Sequence, residues 1–296
     1  MRRSPGFLAG MCLWLAGCAG AAPLPPKAVL LNQAGADALA RGDLETADAR
    51  LSLALEYSPH FVEALVNQGL VELQRGNFER ARELITRARR LNPDVAQPHH
   101  ALGVLAERQA RPDEASRHYY DALAVDPGFA PSRANLARLL FDASMLDEAL
   151  VQFRRLAEVA PESAEAQQGL AETLLRLGRI DEAEAVTRAA RQRFPDVSEL
   201  TILAARSALR KGDVTRGIEL LSPLGYGRDD VAANALGWLA TAELLRGEPR
   251  RAVGAAKRAL ELEPRSAVAT YAMAQALDAL GDPAAIAWQR RAQQAR

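Results

Sequence analysis

The sequence predicts an all-α fold, an α-solenoid of about eight stacked helix pairs. Three series of residues carry that expectation. Pro59, Pro93, Pro127, Pro161 and Pro195 are each 34 residues from the next, and Ala47, Ala81, Ala115, Ala149 and Ala183 keep the same interval. Gly35, Gly69 and Gly103 form the third series, continued by Ala137, Ala171, Ala205, Ala240 and Ala274. A period of this length marks a unit that cannot bury its apolar face alone and must stack on its neighbours. An aromatic content of 5% fits tightly packed, Ala-rich helices better than a sheet.

Residues 62–95 show the unit most plainly. Leu65, Gly69, Phe78, Ala81, Ile85 and Ala88 recur at helical spacing on both sides of Arg75-Gly76-Asn77, where one helix should stop and another start. Gly69 and Ala81 leave room for the two helices to cross closely. With Pro93 near its end, this unit resembles the tetratricopeptide repeat, a family with a period of ~34 residues. The resemblance implies a right-handed superhelix whose first helices line a concave face with their second, fifth, sixth, ninth, twelfth and thirteenth residues.

Residues 1–17 read as a secretory leader. Arg2 and Arg3 give a positive start, and the apolar run 7–15 is too short to span a bilayer. Leu15-Ala16-Gly17-Cys18 resembles the lipobox of bacterial lipoproteins, which implies acylation of Cys18 as the first mature residue. An ordinary signal peptide cut after Ala22 is the alternative. By the same resemblance, Ala19 rather than Asp after the cysteine implies sorting to the outer membrane, periplasmic side. Cys12 and Cys18 are the two cysteines, so residues 19–296 contain no thiol and no disulfide. Residues 18–27, with Pro23, Pro25 and Pro26, read as the lipidated cysteine and an extended tether.

Five regular repeats follow over 28–197, beginning at 28, 62, 96, 130 and 164. Gly42 suits the left-handed end of a helix and Asp43 the cap of the next. Arg75-Gly76-Asn77, Lys211-Gly212-Asp213 and Arg246-Gly247-Glu248 are expected to act alike. Arg111-Pro112-Asp113 makes the third turn, with Pro tolerated near a helix start. The fourth repeat has Asp142-Ala143-Ser144 and should turn less sharply. The sixth, 198–232, is irregular: Pro223 should break its second helix near Leu221 and leave a loop, either a hinge or contact site or a tolerated insertion. Residues 233–296 hold the seventh repeat and a capping repeat, its polar last helix anchored by Trp288.

Composition and motifs point away from catalysis. A formal net charge of +0 provides no basic field for nucleic acid. Removing the leader takes away Arg2 and Arg3 and leaves 35 basic against 37 acidic residues. His60, His99, His100 and His118 form no i, i+4 pair and have no Cys beyond the leader, so no metal, cofactor or catalytic residue is expected. No nucleophile-elbow, phosphate-loop or dinucleotide motif occurs, and no small-molecule substrate is expected.

Protein binding is what the repeat leaves. The family register transferred to this chain places Asn32, Asn67, His100, Asn135, Arg138, Phe141, Gln168, Arg206, Tyr271 and Gln275 in a protein-binding groove. Leu70, Leu73, Val104 and Leu175 share it as apolar lining. Such a trough can bury a peptide and satisfy its backbone with amides. Asn67, Asn135 and Arg138 have no evident packing role. The carboxylate clamp of chaperone-binding relatives is absent, since Asn32, Ala36, Gln97 and Ala101 stand at its positions. The whole chain resembles the repeat lipoproteins of pilus assembly, of the tight-adherence (Flp) and type IV pilotin types. That resemblance implies a membrane-anchored periplasmic scaffold with protein or peptide partners in the cell envelope. An adaptor for cell-wall hydrolases or polysaccharide export is the alternative.

Overall fold

The computed structural model describes residues 23–294, and their helices fall where the 34-residue register puts them. The leader, Cys18 and the first part of the tether lie outside the described residues. Two compact units divide the chain, one ending at Pro93 and one beginning at Asp94.

The first unit holds α1 (Pro26–Ala40), α2 (Leu44–Tyr57), α3 (Val62–Gln74) and α4 (Phe78–Leu91). The first helix begins at Pro26, inside the stretch expected to be tether, because Pro is at home where a helix's first N–H groups lack partners. Leu31, Leu51, Phe61, Ala64 and Val71 form its core. The second unit holds six further pairs. They are α5 (Ala96–Arg108) with α6 (Pro112–Val125), α7 (Ala130–Asp142) with α8 (Leu146–Val159), and α9 (Ala164–Arg176) with α10 (Ile180–Arg193). Next come α11 (Ser198–Arg210) with α12 (Val214–Leu221), α13 (Asp230–Leu245) with α14 (Pro249–Leu262), and α15 (Ala267–Ala279) with α16 (Ala285–Gln294). Within this unit each second helix packs on the next first helix. First helices also touch directly in the order α7, α9, α11, α13, α15.

The corners follow one chemistry with local substitutions. Gly42 takes φ 75°, and the Asp43 carboxylate accepts the Thr46 N–H at 3.1 Å. Asp213 caps α12 in the same way through Arg216 N–H at 3.1 Å. Asn77 and Glu248 depart from the expected equivalence. Neither caps with its side chain, and the Asn77 amide instead donates to Glu72 at 2.7 Å. The fourth corner is as tight as the others. Ser144 adopts φ 60°, and Met145 N–H reaches Leu140 O at 2.9 Å, the bond that Asn77 N–H makes to Glu72 O at 2.8 Å. The backbone closure defines the corner even where a non-glycine residue bears the strain.

Helix crossings are set by pairs of small and large residues. A Cβ on Gly69 would stand 2.5 Å from Ile85 Cγ1 and 3.3 Å from the Ala81 carbonyl oxygen. A Cβ on Gly103 would stand 2.4 Å from Tyr119 Cε1. The irregular sixth pair ends α12 at Leu221, ahead of Pro223, as expected. The following segment is better tied than a free loop. Leu224–Tyr226 form a 3-10 turn, Arg258 donates to the Gly225 carbonyl at 2.8 Å, and Asp229 caps α13 through Ala232 N–H at 2.9 Å. That cap starts α13 at Asp230, three residues before the repeat boundary placed at 233. In α16, buried Ala285 and half-buried Trp288 pack on Ala272, Met273 and Leu277, while Arg291 covers the indole at 4.9 Å.

Candidate protein-binding face

The first helices α9, α11 and α13 lie against one another, so residues at matching places in successive repeats become neighbours. Two clefts result, and Arg206 lines both. The first, of about 300 Å³, is walled mainly by carbon: Leu175 at its floor, Leu209, Trp238 and Leu245, with Arg210 and Thr241 beside them. The second, of about 260 Å³, is polar, with Gln168, Glu172, Glu199 and Asn234 around Ile202 and Leu203. Leu245 is 57% exposed. Burying a Leu-sized side chain in the first cleft would contribute ~1.5–3 kcal/mol.

Arg206 holds this surface in shape. Both of its terminal nitrogens donate to the Glu172 carboxylate of the preceding repeat, one of them at 2.8 Å. Its guanidinium lies over the Trp238 ring at 4.6 Å. The planar fork suits both partners at once, pairing in plane with the carboxylate and stacking face-on with the indole. The arginine is therefore committed within the fold, leaving Trp238 and exposed Leu245 as the contact surface.

The third and fourth repeats contain a different arrangement. Tyr119 is fully buried, and its hydroxyl donates to Glu107 Oε1 at 2.7 Å while accepting the Asn135 amide at 3.0 Å. Arg138 closes the network on Glu107 Oε2. Burial first, and then the bond to ionised Glu107, push the phenol well above its ordinary value. His100 packs between Tyr119 and Phe129, each ring centroid 5.5 Å away, with Nδ1 3.0 Å from Ser132 Oγ. Burial pushes its pKa down to about 4. These contacts correct two expectations: His100 is a packing residue, and Asn135 and Arg138 have structural partners. Phe141 is half-buried, with Arg176 over its ring at 4.9 Å. His99 and His118 approach one Asp121 carboxylate oxygen at 3.9 Å and 3.7 Å. Among the described residues no group of three or more His, Cys, Asp and Glu side chains is arranged to hold a metal ion.

The remaining expected groove residues form two local groups. Asn67 donates to Asn32 at 2.9 Å in the first unit, so these amides also answer each other. Leu73 is core rather than lining, at 3% exposure, and Leu70 packs against the core at half burial. Val104 does the same in the second unit. Tyr271 and Gln275 meet Gln289 and Gln293 of the last helix around a cleft of about 120 Å³. Of the ten residues assigned to one groove, only Gln168 and Arg206 line the paired clefts. Sequence reasoning missed Glu172, Asn234, Trp238, Thr241 and Leu245. The same register, carried into the repeats at 164 and 233, names all five.

Models of the tetratricopeptide repeat match residues 60–127, 140–207 and 267–285, together just over half of the chain. The chain belongs to the tetratricopeptide-repeat family. Over 80 residues it is 34% identical to the type IV pilus assembly protein PilF of Pseudomonas aeruginosa, covering 27% of this chain and 32% of that protein. The match thus spans about a third of the relative's length. A solved structure of Pseudomonas aeruginosa PilF superposes with TM-score 0.57 at 20% identity, over 71% of this chain and 95% of the other. PilW, described as a widely conserved type IV pilus biogenesis factor, gives TM-score 0.57 at 20% identity over 69% and 94%. At such identities the likeness is one of fold. In family terms Trp238 occupies the sixth place of its repeat, and Glu172 and Arg206 the ninth places of theirs.

Proposed function

We propose that this tetratricopeptide-repeat protein is a scaffold that binds a polypeptide across α9, α11 and α13, with Trp238 and Leu245 gripping an apolar side chain. The observation that carries the reading is the carbon-lined cleft beside Trp238, where the cation stacked on the indole, Arg206, is already paired. A second helix or extended strand laid there buries apolar surface and meets Gln168, Asn234 and Thr241 for its polar groups. We further propose that the scaffold is anchored through lipidated Cys18 to the outer membrane, faces the periplasm, and serves assembly of a pilus or secretion complex. The lipobox-like leader supports the anchor, and the similarity to the pilus assembly protein PilF supports the assembly role.

The test is photo-crosslinking from position 245 in intact envelopes, followed by mass spectrometry of the adducts. The expected adducts are pilus or secretion-complex subunits, lost on Trp238→Ala, a truncation costing ~2 kcal/mol or more at a central interface aromatic. Adducts unchanged by Trp238→Ala would sink the groove. Adducts confined to cell-wall hydrolases or export proteins would sink the assembly role and favour the adaptor. Cys18→Ser should release the chain from membranes with its helicity unaltered.

A further inference from the structure

The helix α11 has another occupied side. Ala204 and Ala208 are two residues before and after Arg206, ~200° round the helix from it, and so face away from the Trp238 cleft. With Thr187 of α10 they line a cleft of about 420 Å³ between α10, α11 and the start of α12. The register explains why a cleft opens here. The seventh place of the repeat holds Leu102, Leu136, Leu170, Leu239 and Met273 elsewhere in this unit, but Ala204 in the sixth repeat. The twenty-fourth place holds Tyr119 and Phe153 in the two preceding repeats, but Thr187 here. Two adjoining large side chains are thus replaced by small ones.

The walls of this cleft are basic. Arg188, Arg191, Lys211 and Arg216 line it against two acids, Glu184 and Asp213. Both acids are already engaged. Glu184 accepts from Lys211 at 2.7 Å and Arg188 at 2.8 Å, bonds that hold its carboxyl below the ordinary range. Asp213 is consumed in capping α12. Two guanidinium groups of this lining are paired with no carboxylate among the described residues. Arg191 commits only Nε, to Thr201 at 3.1 Å, and the Arg216 guanidinium has no partner among the described residues. A carboxylate is satisfied by one such fork, whereas a phosphate presents three oxygens and up to two charges and can take both.

We infer that this cleft, on the opposite side of α11 from the protein-binding face, binds a compact organic phosphate between Arg191 and Arg216. The phosphate can belong to a free small molecule or to a phospholipid headgroup. Calorimetric titration of the full chain with glycerol 3-phosphate, and separately with dihexanoyl-phosphatidic acid below its micelle concentration, distinguishes the two sources, with glycerol as the control. Saturable binding of glycerol 3-phosphate assigns a free ligand, and binding of the lipid alone assigns a headgroup. Arg216→Ala, at a solvent-facing position, should weaken binding about tenfold by removing one charged fork. Ala204→Leu restores the side chain usual at that place and should abolish binding while leaving the melting temperature unchanged or higher. Silence with both probes overturns the inference, as does undiminished affinity in Arg216→Ala or in folded Ala204→Leu.

Discussion

Replacing Gly103 by Ala isolates the packing rule that holds each helix pair together. In an open helix the exchange stabilises by ~1 kcal/mol, because Ala loses less backbone freedom on folding. Gly254 of α14 is such a site, where an added Cβ would meet nothing within 4 Å, and Gly254→Ala should gain about that amount. At Gly103 the new methyl would stand 2.4, 2.7 and 2.9 Å from Tyr119 Cε1, Cδ1 and Cζ. Tyr119 cannot withdraw, being fully buried with its hydroxyl held by Glu107 and Asn135. Overpacking of this kind costs ~1–3 kcal/mol, so the net effect should be a loss of up to about 2 kcal/mol despite the gain in propensity. Urea titration followed by far-UV circular dichroism gives the sign. Amide exchange along α5 and α6 locates the change, which matters because repeat proteins unfold in parts. In a Tyr119→Ala background the colliding ring atoms are gone, and Gly103→Ala should become neutral or stabilising. The reasoning fails if Gly103→Ala stabilises the wild type as Gly254→Ala does, or if its cost persists in the Tyr119→Ala background.

Three further outcomes follow from the same contacts. Burial lowers His100 from 6.5 to about 4, so between those values the unfolded chain binds a proton that the folded chain refuses. Its contribution is present above pH 6.5 and is lost as pH falls towards 4, by at most about 3 kcal/mol; His100→Gln should flatten that part of the stability profile relative to wild type. A double-mutant cycle of Glu172→Gln and Arg206→Met should give a coupling of about 1 kcal/mol, since the pair is bidentate but partly exposed. Additive single effects would show that the pair does not hold the cleft. Asn135→Ala should lower stability by about 1 kcal/mol through loss of its bond to the Tyr119 hydroxyl, measurable as an earlier urea midpoint. An unchanged midpoint would return Asn135 to a purely binding role.

Positional periodicity alone was enough for the fold. Each 34-residue unit repeats the same small residues at its crossing and the same corner, so the interval between Pro59, Pro93 and Pro127 reports helix boundaries without knowledge of any distant contact. The break at Pro223 was legible for the same local reason: a ring without an N–H cannot continue a helix. The early start of α13 was not, because it depends on Asp229 meeting Ala232 N–H once the preceding 3-10 turn has formed.

The candidate site was legible in part. Its register identified Gln168 and Arg206, and extended one repeat further it reaches Trp238. A register says which side of a helix a residue occupies, but not what already sits beside it. Tertiary structure decided that Asn135 answers buried Tyr119, that Arg206 is spent on Glu172 and Trp238, and that His100 is enclosed by two aromatic rings. Those facts depend on which side chain of one repeat reaches its neighbour 16 to 34 residues away. Hydrogen-bond partners and leftover space are properties of pairs of helices, whereas periodicity is a property of one.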